Sequence, residues 1–348
     1  MKIFRQLADF LYRLFNSIFY FTPILLANYR WRHKFLIPFY KGKAGGGRSD
    51  KHERAVVFMA LNETTFSGGL SDRLRGIVSV YAECKRQGRP FRIVFEPLHL
   101  EDYLAPNEYD WRIGEDEIDW DLAKSYPCVL LTYHNDPRNR WQHFVQSTVL
   151  RSYFRKHCLQ LHVFTNMIPS DEEYRTLFHE LFKPADDLQQ LIGYHQEKLG
   201  GKGNYISCTF RFRQLLGDFK EGGATLPASK REPYIQQCVQ TVAHLHELHP
   251  EKKILVTADS HTFLDELTTV SLSYVYVMPG KVVHLGFTAD ASKAVYMKLF
   301  LGMYMISYAD TVYLVRDKLM YHSGFPYRAA LLGGINYEEV SLLNNIKL

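Results

Sequence analysis

The sequence predicts an α/β protein built on parallel sheets, and three observations predict it. Short apolar runs rich in Val, Ile and Phe alternate with longer stretches whose apolar residues recur at helical spacing. Glycine- and serine-bearing turns follow several of the apolar runs, where a doubly wound sheet carries its ligand loops. At 348 residues the chain is long enough for two domains, each with its own core.

Apolar residues make up 46% of the chain and aromatics 14%, enough to furnish aromatic-rich surfaces as well as cores. The net charge of +5 is modest, but its placement is uneven. Arg5, Arg13, Arg30, Arg32, His33, Lys34, Lys41, Lys43 and Arg48 crowd the beginning of the chain, where acids are few. That pattern points to an anionic surface as partner. The apolar run 18–27 is short and interrupted by Thr22 and Pro23, so it reads as an interfacial segment rather than a span. Residues 1–45 are therefore expected to form a basic, aromatic leader lying on an anionic membrane, peripheral on the cytoplasmic face. The alternative is a helix packed on the protein's own core. No small-residue cleavage site follows the apolar run, which argues against a signal peptide. Five scattered cysteines without C-x-x-C spacing give no disulfide framework and fit a reducing compartment. His244 and His246 diverge on a helix, so no zinc site is expected with His249.

The glycine-rich stretch 43–50 reads as a joint, and a first domain is expected over 52–183. Residues 55–60 and 91–95 read as strands, with helical spacing of Leu74, Ile77, Val78, Tyr81 and Ala82 between them. The intervening loop carries Gly68 and Gly69, then Asp72, Arg73 and Arg75 at the helix start. It has neither the dinucleotide nor the P-loop glycine spacing. Residues 129–132 and 161–164 read as further strands, 142–156 and 172–182 as helices. Asp119-Trp-Asp121 has the spacing used by metal-dependent sugar transferases, but two acids at that spacing are commonplace, and no metal is expected.

A second domain is expected over 184–348. It should contain helices at 187–199, 233–248 and 293–307, and strands at 205–212, 253–257, 274–278 and 311–315. Arg211 and Arg213 alternate at the end of the first strand, so both are expected on one side of it. Two guanidinium groups there fit a diphosphate between them; the plainer reading is salt bridges to neighbours such as Asp218. Asp259 and Ser260 follow the second strand, where Ser260 is a candidate helix cap. Ser323, Gly324 and Phe325 follow the last strand, with Pro326 set for a first helical turn whose free amides favour an anion.

Three of these pieces, in order, resemble the donor domain of the α1,6-/α1,2-/protein O-fucosyltransferase superfamily. They are Thr209-Phe-Arg-Phe-Arg213 with Gly217-Asp218, Thr257-Ala-Asp-Ser260, and Ser307-Tyr-Ala-Asp310 followed by Ser323-Gly-Phe325. Gly68-Gly-Leu-Ser-Asp-Arg73 is similar to the superfamily's N-terminal glycine-rich loop. Thr209 stands at the usual His, Phe212 at a second Arg, and Gln214 at an Asp. Gly302 stands where the α1,6 branch has an Asp associated with guanine, and Asp290 is the candidate replacement. The resemblance implies a GT-B arrangement, two Rossmann-like domains facing a cleft. It also implies inverting, metal-independent transfer of fucose from GDP-fucose to a glycan. Arg211, Arg213, Asp259, Ser260, Ser323, Gly324 and Phe325 would hold the donor, with no separate cofactor. Asp72 and Glu63 are the candidate bases, and a glycan or lipid-linked glycan is the acceptor. The alternatives are a different nucleotide sugar or a non-catalytic glycan- or membrane-binding protein on the same fold.

Overall fold

A computed structural model describes residues 25–43, 53–61, 68–131, 140–218, 223–281, 285 and 292–343. Glu63 and Asp290 lie outside them, as do residues 1–24 of the leader and most of the glycine-rich joint. The chain divides into two compact units, Met1–His99 with Pro106–Phe182, and Leu100–Ala105 with Lys183–Leu348. The short segment 100–105 thus belongs with the second unit, an excursion that nothing in its sequence announces.

The first unit begins with a helical run over residues 25–43: α1 (25–31), a π turn at Arg32–Leu36, and α2 (Ile37–Lys43). Then come β1 (Ala55–Ala60), α3 (Leu70–Gln87) and β2 (Phe91–Phe95), the short β3 (Leu104–Pro106), which falls largely in the excursion 100–105, and β4 (Ser125–Leu130). They are followed by α4 (Arg140–Phe154), β5 (Gln160–Thr165), α5 (Asp171–Leu181) and the short β6 (Phe182–Pro184). The sheet is parallel, ordered β2-β1-β5-β4. Successive side chains of a strand point to opposite faces, and β1 uses both. Val57 and Met59 pack in one cluster with Leu36 and Tyr40 of the helical run, while Phe58 lies against α3 at Gly76.

The leader therefore follows its alternative reading over this stretch. Leu36 and Tyr40 are fully buried, and Trp31 and Phe39 pack against the same cluster. A step of four residues over-rotates an α-helix by about 40°. The wider π turn takes up part of that drift, which keeps Asn28, Arg32, Leu36 and Tyr40 on one side. Polar groups fasten that side: Asn28 Nδ2 donates to the Leu131 carbonyl at 3.2 Å, and Arg32 Nε to the Pro127 carbonyl at 2.6 Å. Without this layer one face of β1 and β4 would lie open to water.

The second unit runs α6 (Asp186–Lys198), β7 (Tyr205–Phe210), α7 (Ala228–Leu248), β8 (Lys253–Ala258), α8 (His261–Val270) and β9 (Val275–Val277). It ends with α9 (Lys293–Ser307), β10 (Thr311–Arg316), α10 (Phe325–Gly333) and β11 (Asn336–Ser341). The sheet is again parallel, ordered β11-β10-β7-β8-β9. The chain builds outward from β7 to β9, then crosses to the other side of β7. The order reverses between β7 and β10, and the crevice beyond their carboxyl ends is where such sheets take ligands. Several boundaries differ from the periodicity reading, β4 and β7 among them, and one strand of this sheet was not expected. Helix α7 starts ahead of Pro233, and beyond it Tyr234, Cys238, Val242 and Leu245 bury a continuous stripe. Strand β11 is polar and mostly exposed, so no apolar alternation reveals it.

Candidate functional site

The loops after β7, β8 and β10 meet at this reversal point in the second unit. Strand β7 ends at Phe210, so Arg211 and Arg213 do not alternate on it as expected. Phe212 instead turns into the core, 2% exposed, stacked on Phe210 with ring centroids 5.9 Å apart. Arg213 then takes a left-handed conformation at φ 55°, unusual for a side chain that is not Gly, Asn or Asp. The two arginines leave the strand in different ways.

Asp259 holds this turn in place. Its Oδ1 accepts from the Phe212 amide at 2.7 Å, and its Oδ2 from the Arg213 amide at 2.7 Å and from Arg211 Nη1 at 2.5 Å. Burial pushes the Asp259 carboxyl up, while Arg211 and the backbone donors pull the other way. With three donors on it, the carboxylate serves as the clamp that presents Arg211. Its charge also explains why Arg211 is only 12% exposed in its side chain without needing Asp218.

Asp218 serves the neighbouring loop. Its Oδ2 accepts from Ser260 Oγ at 2.9 Å and from the Thr262 amide at 2.8 Å, and Ser260 Oγ in turn accepts from Phe263 N at 3.2 Å. Ser260 is fully buried and caps α8, so its hydroxyl shapes the loop. Thr209 shares a 2.8 Å hydrogen bond with Thr257 across β7 and β8.

The third loop lies against the first. The Tyr321 amide donates to the Arg211 carbonyl at 3.0 Å, and the Arg213 guanidinium carbon sits 5.1 Å from the Tyr321 ring centroid. Two residues on, Ser323 Oγ accepts from Phe325 N at 3.3 Å, Gly324 is the N-cap, and Pro326 occupies the first turn of α10. A helix start with cations beside it is an anion site by dipole and by donors. Sequence reasoning collected Arg211, Arg213, Asp259, Ser323 and Gly324 here, and missed Tyr321, for which no local pattern gives a signal.

The first unit holds Asp72, at the start of α3. Its carboxylate accepts from the Gly69 amide at 3.3 Å and pairs with Arg75 at 2.8 Å. Arg73 is buried, its Nε donating to the Gly68 carbonyl at 3.1 Å and its Nη1 to the Glu96 carbonyl. The cations of the glycine loop are thus engaged by Asp72 and by backbone carbonyls of this unit. Asp119 and Asp121 each accept a backbone amide at 2.9 Å, as turn residues do. Among the described residues no three His, Cys, Asp or Glu side chains are placed to hold a metal ion. No described helix is long and apolar enough to cross a membrane.

Neither a protein-family model nor a curated protein sequence matches the chain. Solved structures do match. The fucosyltransferase NodZ from Bradyrhizobium aligns at a TM-score of 0.53 and 17% identity, over 80% of this chain and 92% of its own. A NodZ alpha-1,6-fucosyltransferase structure soaked with GDP-fucose aligns at 0.51 and 16%, over the same shares of 80% and 92%. A FUT1 variant from Arabidopsis thaliana in complex with GDP aligns at 0.50 and 14%, over 92% of this chain and 80% of its own. At such identities the likeness is one of fold: the chain has the α/β, GT-B-type fold of these fucosyltransferases.

Proposed function

We propose that this chain is a glycosyltransferase that moves fucose, or a related sugar, from a GDP-sugar to a hydroxyl of a glycan, with inversion and without a required metal. The carrying observation is the meeting of three loops at the reversal point, with Arg211 clamped by Asp259 beside the start of α10. A departing nucleoside diphosphate gathers negative charge, and fixed cations and amides stabilise it more than they stabilise the intact donor. Arg211 and Arg213 supply the cations in this reading. The amides at Ser323 and Gly324 supply fixed donors, Phe325 N holds the Ser323 hydroxyl, and Asp259 and Ser260 hold the loops in position. Of the similar structures, one was soaked with GDP-fucose and one is in complex with GDP, which favours a guanosine diphosphate donor.

Asp72 is the base candidate in the described residues, already engaged by Arg75, and Glu63 is the other. Inversion needs the acceptor hydroxyl on the face opposite the departing diphosphate, and a base there would take its proton. The basic, aromatic leader supports a place on an anionic membrane surface of the cytoplasm, beside a lipid-linked glycan acceptor.

The test is GDP and GDP-fucose binding by calorimetry, with folding of each variant checked by circular dichroism. Arg213→Ala is expected to weaken GDP by about tenfold, or about 1.4 kcal/mol, and Ser323→Ala by less. Arg211→Ala also strands the Asp259 charge, at a stability cost of about 3–5 kcal/mol. Folded variants that all bind like the parent would end the reading. Release of GDP from GDP-fucose without acceptor separates an enzyme from a binding protein on the same fold. Stronger stabilisation by a uridine or adenosine diphosphate sugar would move the donor assignment to another nucleotide.

A further inference from the structure

The helical run 25–43 has two faces with opposite chemistry. The inner face, through Asn28, Arg32, Leu36 and Tyr40, is sealed onto the first unit. The outer face carries Leu26, Tyr29 and Phe35, exposed at 48%, 60% and 45%, with Arg30, His33 and Lys34 among them. Leu26, Tyr29, Arg30 and His33 follow the i, i+3, i+4, i+7 spacing of a single helical stripe. Residues 25–43 contain no acid. Among the described residues, Arg30, Lys34, Lys41 and Lys43 have no ion pair; Lys34 lies 5.3 Å from the Phe35 ring centroid, and Lys43 5.5 Å from that of Phe39. Exposed aromatics interleaved with unpaired cations are the composition of a helix lying in a lipid headgroup layer.

We propose that this outer face is the membrane-binding surface, and that it holds the first unit on an anionic bilayer in one fixed orientation. The inference rests on the leader reading above and names the face and its rigidity. A flexible tether would leave the unit free to tumble above the lipid. Here a single helix, bonded to the sheet through its inner face, separates the lipid-facing residues from it. Tyr40 Oη and His162 Nδ1, 2.6 Å apart, lock that helix to β5. The bilayer plane is therefore parallel to the helix, with the sheet directly behind it. Anionic phosphates meet Arg30, Lys34 and Lys41, while Leu26, Tyr29 and Phe35 enter the boundary below them.

Deleting the leader would remove Leu36 and Tyr40 from the core, so the test keeps the full chain and changes only exposed residues. Binding to phosphatidylcholine vesicles with and without phosphatidylglycerol is followed by co-sedimentation, with GDP binding measured on the same preparations. The parent chain is expected to bind only the vesicles containing phosphatidylglycerol. Arg30→Glu with Lys34→Glu should lower that binding by more than about tenfold, on the scale of the electrostatic attraction per basic residue near such a surface. Tyr29→Ser with Phe35→Ser should leave a weaker association that moderate salt reverses. GDP binding should be the same in all of these chains. If both variants bind like the parent, the face is wrong, although the leader reading stands. A parent chain that ignores phosphatidylglycerol overturns both while leaving the donor site untouched. A parent that dimerises in solution through this face, and loses dimerisation in the variants, assigns the face to a second copy and overturns the proposal.

Discussion

The two units share a plan and spend their buried polar groups differently. Each is a parallel sheet, ordered β2-β1-β5-β4 in the first and reversing once, between β7 and β10, in the second. At the carboxyl edge of the first sheet, Arg75 Nε donates to the Asn166 carbonyl at 2.7 Å and Arg73 holds the Gly68 carbonyl of its own loop and that of Glu96 after β2. At the second, Asp259 props up a left-handed turn and presents Arg211 beside a helix start. The first unit instead buries its polar network inside the layer: His162 is fully buried, bonded to Tyr40 Oη and, at 2.9 Å, to Gln160 Oε1. Gln160 Oε1 also accepts the Asp119 amide at 2.8 Å, so His162 carries its proton on Nε2 and accepts from Tyr40 on Nδ1. Polar burial inside a layer fastens a helix; polar burial at the carboxyl edge of a sheet makes a site. The difference in place is the difference in role.

The contrast breaks first if the leader helix is dispensable. Leu36→Ala removes a fully buried side chain that only the leader supplies to the first unit, and is expected to cost about 2–5 kcal/mol. Hydrogen exchange should show lost protection in β1 and β4, with GDP affinity in the second unit unchanged; equal loss in both units would collapse the distinction. A smaller effect sharpens the shared plan. An added Cβ at Gly76 would meet the Thr165 carbonyl oxygen, and one at Gly333 the Ser307 carbonyl oxygen, both backbone atoms that cannot step aside. Gly76→Ala and Gly333→Ala are each expected to cost about 1–3 kcal/mol, read in urea titrations unit by unit.

The smallest effect is on pH. Burial pushes His162 down to about 3 from its ordinary 6.5. The unfolded chain therefore takes up that proton first as pH falls. The stability His162 lends is complete above pH 6.5 and drains away toward pH 3. His195 in the second unit is also lowered, by burial and then by Lys298, so the comparison is one of degree. Between neutral pH and about pH 5, protection should fall more steeply in the first unit than in the second. Parallel losses would show that the Tyr40–His162 lock carries no special weight.

Much of this was legible in the residues. Strands such as β1, with six buried apolar positions, and helices such as α9, with apolar residues on every side, announce themselves because burial and periodicity coincide there. Ser323-Gly-Phe-Pro326 announces a helix start through local chain chemistry alone. Strand β11 does not, because an exposed edge strand needs no apolar pattern. Tyr321 and the clamp role of Asp259 were also hidden. Both depend on partners more than forty residues away in the chain, which spacing cannot express.

The sequence by itself determined the α/β class, the alternation of strand and helix, and the loops that gather cations and amides, since these follow from local propensity and burial. Only the tertiary structure decided which charges are spent and which are presented. An arginine reads the same in a sequence whether a carboxylate, a carbonyl or water lies opposite it. Arg73 ends on backbone carbonyls, Arg211 on Asp259, and Arg30 in solvent, and three different consequences follow from that geometry. The leader makes the same point with apolar residues. Its composition fits lipid and core equally well, and the fold sends Leu36 inward and leaves Phe35 outside.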